Sequence, residues 1–290
     1  MNPAPSVILF TAFSGLGFGL LTFLGFGVPA VTGWIAFVSY FIAYALAVGG
    51  LVASTFHLGN PKNALRAFSQ WRTSWLSREG ILAVSALGTM GLYAIGAIFL
   101  DQLWSTLGVI GALLSITTVF STSMIYAQLA TVPRWNHPIT TLLFLALSLS
   151  GGALLAGRIS LAIPLLLAAG GVQITAWILG DARFAQRGTT LETATGLGFL
   201  GKVRLFESPY TGGNYLLNEM VYVVGRKHAQ RLRVIAVLGF SVIPAVLLTL
   251  SHSHIAALFA VIFHVAGVLA ARWLFFAEAE HVVGLYYGKR

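Results

Sequence analysis

The chain predicts an all-α integral membrane protein, a bundle of eight transmembrane helices. Of its 290 residues 57% are hydrophobic and only 9% charged, with a mean hydropathy of +0.85, whereas soluble domains carry about 25% charged residues. Eight apolar runs of roughly 18 to 25 residues follow one another, each long enough to cross about 30 Å of hydrocarbon at about 1.5 Å per residue. Both faces of each run are apolar with no period of two. That excludes a spanning barrel, whose strands are about ten alternating residues long.

The first run, near Ser6 to Phe26, follows Met1-Asn2-Pro3-Ala4-Pro5. It has neither a basic leader nor a small-residue cleavage site, so it reads as a retained span rather than a signal peptide. The second, Trp34 to Phe56, stops just before His57, and the third, Gly80 to Leu100, starts just after Glu79. The fourth and fifth are Thr106 to Ala130 and Ile139 to Gly157; the sixth, Ser160 to Leu179, follows Arg158. The seventh, Val234 to Leu250, and the eighth, Ile255 to Phe276, follow a long polar stretch. Trp34, Trp71, Trp75, Trp104, Trp135 and Trp273 mostly fall near run ends, as an aromatic belt requires. Gly15, Gly19, Gly88 and Gly96 have the spacing of close helix contacts in lipid, and packing is their expected role. The whole of 1–290 is expected to form a single polytopic membrane domain.

Eight spans put both termini on one side, together with the loops after spans two, four and six. Lys62, Arg66, Arg72, Arg78, Arg134, Arg183, Arg187, Lys202, Arg204, Arg226, Lys227, Arg231, Arg233, Lys289 and Arg290 gather there, against Arg158 on the other side. By the positive-inside bias the rich side is cytoplasmic, with both termini there. The net charge of +9 is thus explained by orientation and anionic lipid, without nucleic acid. No cysteine is present, which removes disulfides, thiolate nucleophiles and cysteine-bound zinc or iron–sulfur clusters from this chain. There is no Walker loop, and the glycine-rich stretch from Gly15 to Gly27 lies inside a span rather than in a strand-turn-helix unit.

The segment 181–233 is the one long extramembrane piece. Within it Glu207-Ser208-Pro209-Tyr210-Thr211-Gly212-Gly213-Asn214 is rich in turn formers, and Tyr215 to Gly225 reads as a short surface helix with Leu216, Met220 and Val223 on one face. That face suits a protein partner or the lipid interface equally.

Chemistry concentrates between spans two and three. His57 and Glu79 are 22 positions apart, yet they end and begin neighbouring helices and so sit at one membrane depth. A quinone that gains two electrons must gain two protons. A histidine can hydrogen-bond its ring carbonyl and exchange a proton near neutral pH, and a partly desolvated glutamate can relay one. Arg72 or Arg78 could stabilise negative charge on such a ligand or hold Glu79 ionised. The plainer alternative has His57 capping span two above Gly59 and Pro61, with Glu79 paired to Arg78 at a helix start. Composition leaves both open. His264, mid-span in the last helix, would suit a haem, but His252, His254 and His57 lie at other depths, so a satisfied buried histidine is expected there. Asp101, Arg134, His137 and Arg158 read as solvated loop ends. A transporter is a third possibility, weakened by the absence of an acidic pair or an inverted repeat near the midplane.

His57-Leu58-Gly59 with Pro61, followed by Thr73-Ser74-Trp75-Leu76-Ser77-Arg78-Glu79, resembles the signature of the membrane-anchor subunits of dimethyl sulfoxide reductase and its relatives. Length, span number and missing cysteines agree along the whole chain. The resemblance implies a haem-free anchor of a three-subunit complex in the bacterial cytoplasmic (inner) membrane. The other two subunits would be a molybdopterin catalytic subunit and a four-cluster iron–sulfur subunit docked on this chain. It also implies a quinone pocket, for ubiquinone or menaquinone, with His57 and Glu79 at the ligand; Arg72 and Arg78 are expected beside it, and Lys62, Arg66, Arg204 and Tyr210 at the docking surface.

Two activities compete within that family. Reductases of the dimethyl sulfoxide type draw electrons from menaquinol, with the iron–sulfur partner on the periplasmic side. A branch that oxidises sulfite sends electrons to quinone from the cytoplasmic side. Because the His57/Glu79 edge lies on the charge-rich side, the sulfite branch is expected. The opening Asn2-Pro3-Ala4-Pro5-Ser6 and the Thr211-Gly212-Gly213-Asn214-Tyr215 loop are similar to it.

Overall fold

A computed structural model describes residues 1–56, 66, 68–207, 215–221 and 228–288. Among them every regular element is helical and no strand forms. Eight helices are long and apolar enough to cross a membrane: Pro5–Gly25, Gly33–Thr55, Trp75–Phe99, Ser105–Ala127, Pro138–Leu155, Ile159–Arg187, Ala229–Leu250 and His254–Ala277. They coincide with the eight runs within a few residues except at three ends, where the helix is longer than hydropathy alone suggests.

At the first of these the third helix begins at Trp75 rather than Gly80. Arg78 makes the early start possible: its guanidinium lies 4.3 Å over the Trp75 ring and donates to the carbonyls of Trp71 and Arg72 at 2.9 and 2.8 Å. The sixth helix runs on to Arg187 and the seventh starts at Ala229, since their charged ends are held in ion pairs. The extramembrane segment is therefore shorter than 181–233. It contains a helix Leu191–Thr195, capped by reciprocal hydrogen bonds between Thr190 and Thr193, and a helix Tyr215–Met220. The expected continuation of that helix to residue 225 falls within 222–227, which lie outside the described residues.

Spans one to four close a ring, first on second, second on third, third on fourth and fourth on first; spans five to eight close another in the same cyclic order. The rings meet mainly where the first span packs on the fifth, helped by fourth on fifth and first on eighth. The first span is accordingly the most buried of the eight. Glycine makes that central contact close. A Cβ on Gly19 would collide with the Ser148 carbonyl and one on Gly152 with the Gly19 backbone, while Ser148 Oγ donates 2.6 Å to the Gly15 carbonyl. Of the other expected packing glycines, Gly96 faces Trp104, whereas Gly88 has open space around it. The outer faces expose Phe41, Val84, Leu92, Ile178 and Leu258, an apolar coat suited to lipid.

The N-terminus, the junctions after spans two, four and six, and the chain beyond span eight come together at one end. The Met1 ammonium donates 2.7 Å to the Ala279 carbonyl, Asn2 N–H donates 2.7 Å to Glu219 O, and Trp135 Nε1 donates 3.0 Å to Phe275 O.

Candidate functional site

Glu79 sits in the second turn of the third helix, 3% exposed. Starting the helix at Trp75 turns this carboxyl inward against the fourth helix, where Thr122 Oγ1 donates to its Oε1. Thr122 also donates 3.0 Å to the Thr118 carbonyl, and Ser121 Oγ donates 3.4 Å to Trp75 O, so the two helices are pinned by side chains at this depth. Trp75 meets Phe120 edge to face at 5.9 Å, closing the lipid side.

One turn beyond Thr122, Tyr126 lies inside an aromatic box. Its ring is 5.2 Å from Trp135, 5.6 Å from Phe144, 5.4 Å from Phe275 and 5.6 Å from Phe276. Tyr126 also lines a cavity of about 370 Å³, within the roughly 300 to 1,000 Å³ range of ligand pockets. Val7 and Phe10 of the first span, Leu76 of the third and Leu129 and Phe276 supply apolar wall; Asn2, Ser54 and Glu219 supply polar groups. Ser54, near the end of span two, precedes His57 by three positions. The Tyr215–Met220 helix contributes Glu219 and Met220 to the lining, so this helix faces the cavity through those two residues. At the same end, burial and the Met1 ammonium hold the His281 imidazole below its usual pKa.

His57, Lys62 and Tyr210 lie outside the described residues. Arg72 and Arg66 are exposed, and Arg204 likewise stands on the surface. Arg72 lies 5.5 Å over Trp71, and Arg78 is committed to Trp75 and the preceding turn. The structure thus brings Glu79 to Thr122, one turn from Tyr126, leaves Arg72 exposed and turns Arg78 back onto the chain before the third helix.

Several residues read as solvated are instead tied into the fold. Arg134 donates 2.6 Å to Asp181, and Arg233 grips Asp181 with two nitrogens at 2.8 and 2.6 Å and Glu278 with Nε at 2.7 Å. Arg134 and Glu278 stand 3.7 Å apart, so the four charges join the 4–5 junction to spans six, seven and eight. His137 Nδ1 accepts from Ile139 N–H at 3.1 Å and caps the fifth helix. His264 is buried with Nδ1 2.7 Å from the Phe240 carbonyl, and its Nε2 has no hydrogen-bond partner among the described residues.

Sequence reasoning missed Thr122, Tyr126 and Arg272. Two signals were available: a threonine and a tyrosine one turn apart in an apolar run, and an arginine near the end of another.

This geometry coincides with a family assignment. The profile of the DMSO reductase anchor subunit (DmsC) family matches residues 1–277. A sulfite dehydrogenase subunit of Allochromatium vinosum is 33% identical, over 99% of this chain and 99% of its own length. No solved structure matches the chain. This eight-helix membrane protein belongs to the DMSO reductase anchor subunit family.

Proposed function

We propose that this chain is the quinone-binding membrane anchor of a three-subunit molybdopterin and iron–sulfur oxidoreductase, and that it passes electrons from sulfite oxidation to the quinone pool. The observation that carries this reading is the buried carboxyl of Glu79, held by Thr122 beside a mostly apolar cavity of about 370 Å³ at the charge-rich end. An ionisable group placed there is costly and implies a task. The sulfite substrate rests on the likeness to the Allochromatium sulfite dehydrogenase subunit and on the side of the membrane that the basic residues favour. The second reading, oxidation of menaquinol by a sulfoxide-reducing complex, rests on the description of the matched family.

The donor set fits a ring-carbonyl ligand: an apolar slot for the ring, with few hydroxyl, amide and carboxyl groups at its edge. When bound, a quinone supplies the two-electron, two-proton acceptor. Leu76, Leu129 and Phe276 exclude water from its ring, and Glu219 and Met220 cover it from the surface. Glu79 holds an exchangeable proton at Oε1/Oε2, oriented by Thr122. His57, three positions past a cavity-lining serine, is the second proton contact. Lys62, Arg66, Arg204 and Tyr210 receive the iron–sulfur partner. Electrons arrive from that partner, whose molybdenum subunit oxidises sulfite. Protons come from the cytoplasmic side, where both termini lie, so turnover moves no net charge across the membrane.

Purified complex is expected to show sulfite-dependent quinone reduction rather than sulfoxide-dependent quinol oxidation. Glu79→Gln and His57→Gln should each lower quinone reduction by about 100-fold or more, the usual range for a lost proton-transfer group. Assembly and dye-linked sulfite oxidation should persist. Loss of assembly would assign both residues a structural task, and purification of the chain without an iron–sulfur protein would overturn the anchor reading.

A further inference from the structure

Glu79 does not line the cavity; Leu76, about one turn before it, and Tyr126 do. A proton held on Glu79 therefore needs a way across the Tyr126 wall. Tyr126 and Thr122 share one face of the fourth helix, and helical side chains lean back over the preceding turn, which tilts the tyrosine towards the Thr122–Glu79 pair. Arg272 of the eighth span borders the same aromatic box, against Phe144 and Phe275. This arginine is 2% exposed, lies 3.7 Å over the Phe144 ring, and has Nε and Nη1 without hydrogen-bond partners among the described residues.

A buried guanidinium with unmet N–H groups is stable only if water or a counter-charge reaches it. Arg272 and Tyr126 share Phe144 and Phe275 as ring neighbours, and Tyr126 follows Thr122, the hydrogen-bond partner of Glu79, by one turn.

We propose that Thr122, Tyr126 and Arg272 form a hydrated polar track that joins Glu79 to the cavity, with Tyr126 handing on the proton at the cavity wall and Arg272 positioning and charge-balancing Glu79. This rests on reading the cavity as a quinone pocket. In each transfer the Tyr126 O–H bond breaks on the cavity side as a new one forms from a proton that leaves Glu79 through the Thr122 hydroxyl and bridging water. Tyr126 ends neutral, and Glu79 ends as a carboxylate balanced by Arg272 until it is reprotonated from the charge-rich side. One such transfer accompanies each two-electron reduction, the electrons arriving from the iron–sulfur partner and the second proton entering at His57. The track itself carries protons only.

The test uses the whole complex in membranes, with retention of the partner subunits as the measure of assembly. Redox-difference infrared spectra should contain a carboxyl band that disappears in Glu79→Gln. That band should shift in Thr122→Val and Arg272→Gln, and return in Thr122→Ser and Arg272→Lys. Tyr126→Phe removes one oxygen from the aromatic box and should lower kcat for quinone reduction about 100-fold with KM unchanged. Wild-type turnover in Tyr126→Phe, or an unmoved band in Arg272→Gln, overturns the track. Should Arg272→Gln fail to assemble, Tyr126→Phe and the Thr122 pair decide. If Glu79→Gln loses neither turnover nor a band, the quinone reading falls; if it loses both while Tyr126→Phe behaves as wild type, only the track falls.

Discussion

Individual side chains at the charge-rich end divide into those that hold the protein together and those available for chemistry. Glu278, 5% exposed, is bound by Arg233 at 2.7 Å with Arg134 at 3.7 Å. Removing its charge leaves both guanidinium groups with Asp181 alone and takes a charge-assisted hydrogen bond from the more deeply buried of the two carboxylates, a loss of about 1.5 to 3 kcal/mol. Glu278→Gln should therefore lower the thermal midpoint in detergent strongly. Asp181 is 46% exposed, so Asp181→Asn should cost only about 1 kcal/mol despite its shorter contacts, because water screens it. Equal losses in the two variants would show that burial does not govern this cluster. Glu79 differs from both in having a hydroxyl rather than a cation as its hydrogen-bond partner in the fold. None of this separation could be read from the chain, where Arg134 reads as a solvated loop end and Asp181 and Arg233 only bound the extramembrane segment.

Among the helices, the contact that joins the two rings is the most constrained. At Gly19 a Cβ would meet the Ser148 backbone, whereas at Gly88 it would meet nothing within 4 Å. Gly19→Ala should thus cost about 1 to 3 kcal/mol, as overpacking does, while Gly88→Ala should be neutral or stabilising by up to about 1 kcal/mol because alanine is the better helix former. Thermal unfolding of the pair in one detergent measures the contrast, and a large loss for Gly88→Ala would refute it. The sequence made the eight helices legible because every residue of a span carries the hydropathy signal. Their polar ends were not legible. Arg78 over Trp75 and the Asp181 cluster stabilise helical turns that hydropathy reads as loop, and it is this extension that buries Glu79 in a second turn rather than leaving it at a helix start.

Taken together, the eight helices place all the described junction clusters of basic residues at one end of the bundle. The positive-inside bias predicts that this end faces the cytoplasm. The absence of cysteine gives a clean test with single introduced thiols. In intact cells an impermeant thiol reagent should label His252→Cys, exposed at the far end, and spare Gln186→Cys, exposed at the rich end. The reverse pattern would invert the topology and shift the preferred reading towards the sulfoxide-reducing branch.

Span number, the shared side of the termini and family membership were all settled by local pattern: hydrophobic length, the distribution of lysine and arginine, and the run from His57 to Glu79. Such features depend on neighbours along the chain and on the membrane, so no distant contact is needed to read them. The contact of Thr122 with Glu79, the place of Arg272 against the aromatic box and the cavity that Tyr126 lines depend on which helices pack together. The third span closes on the fourth and the eighth crosses to the aromatic box because small residues and interlocking rings permit those contacts, and hydropathy, nearly uniform around each helix, does not encode that choice.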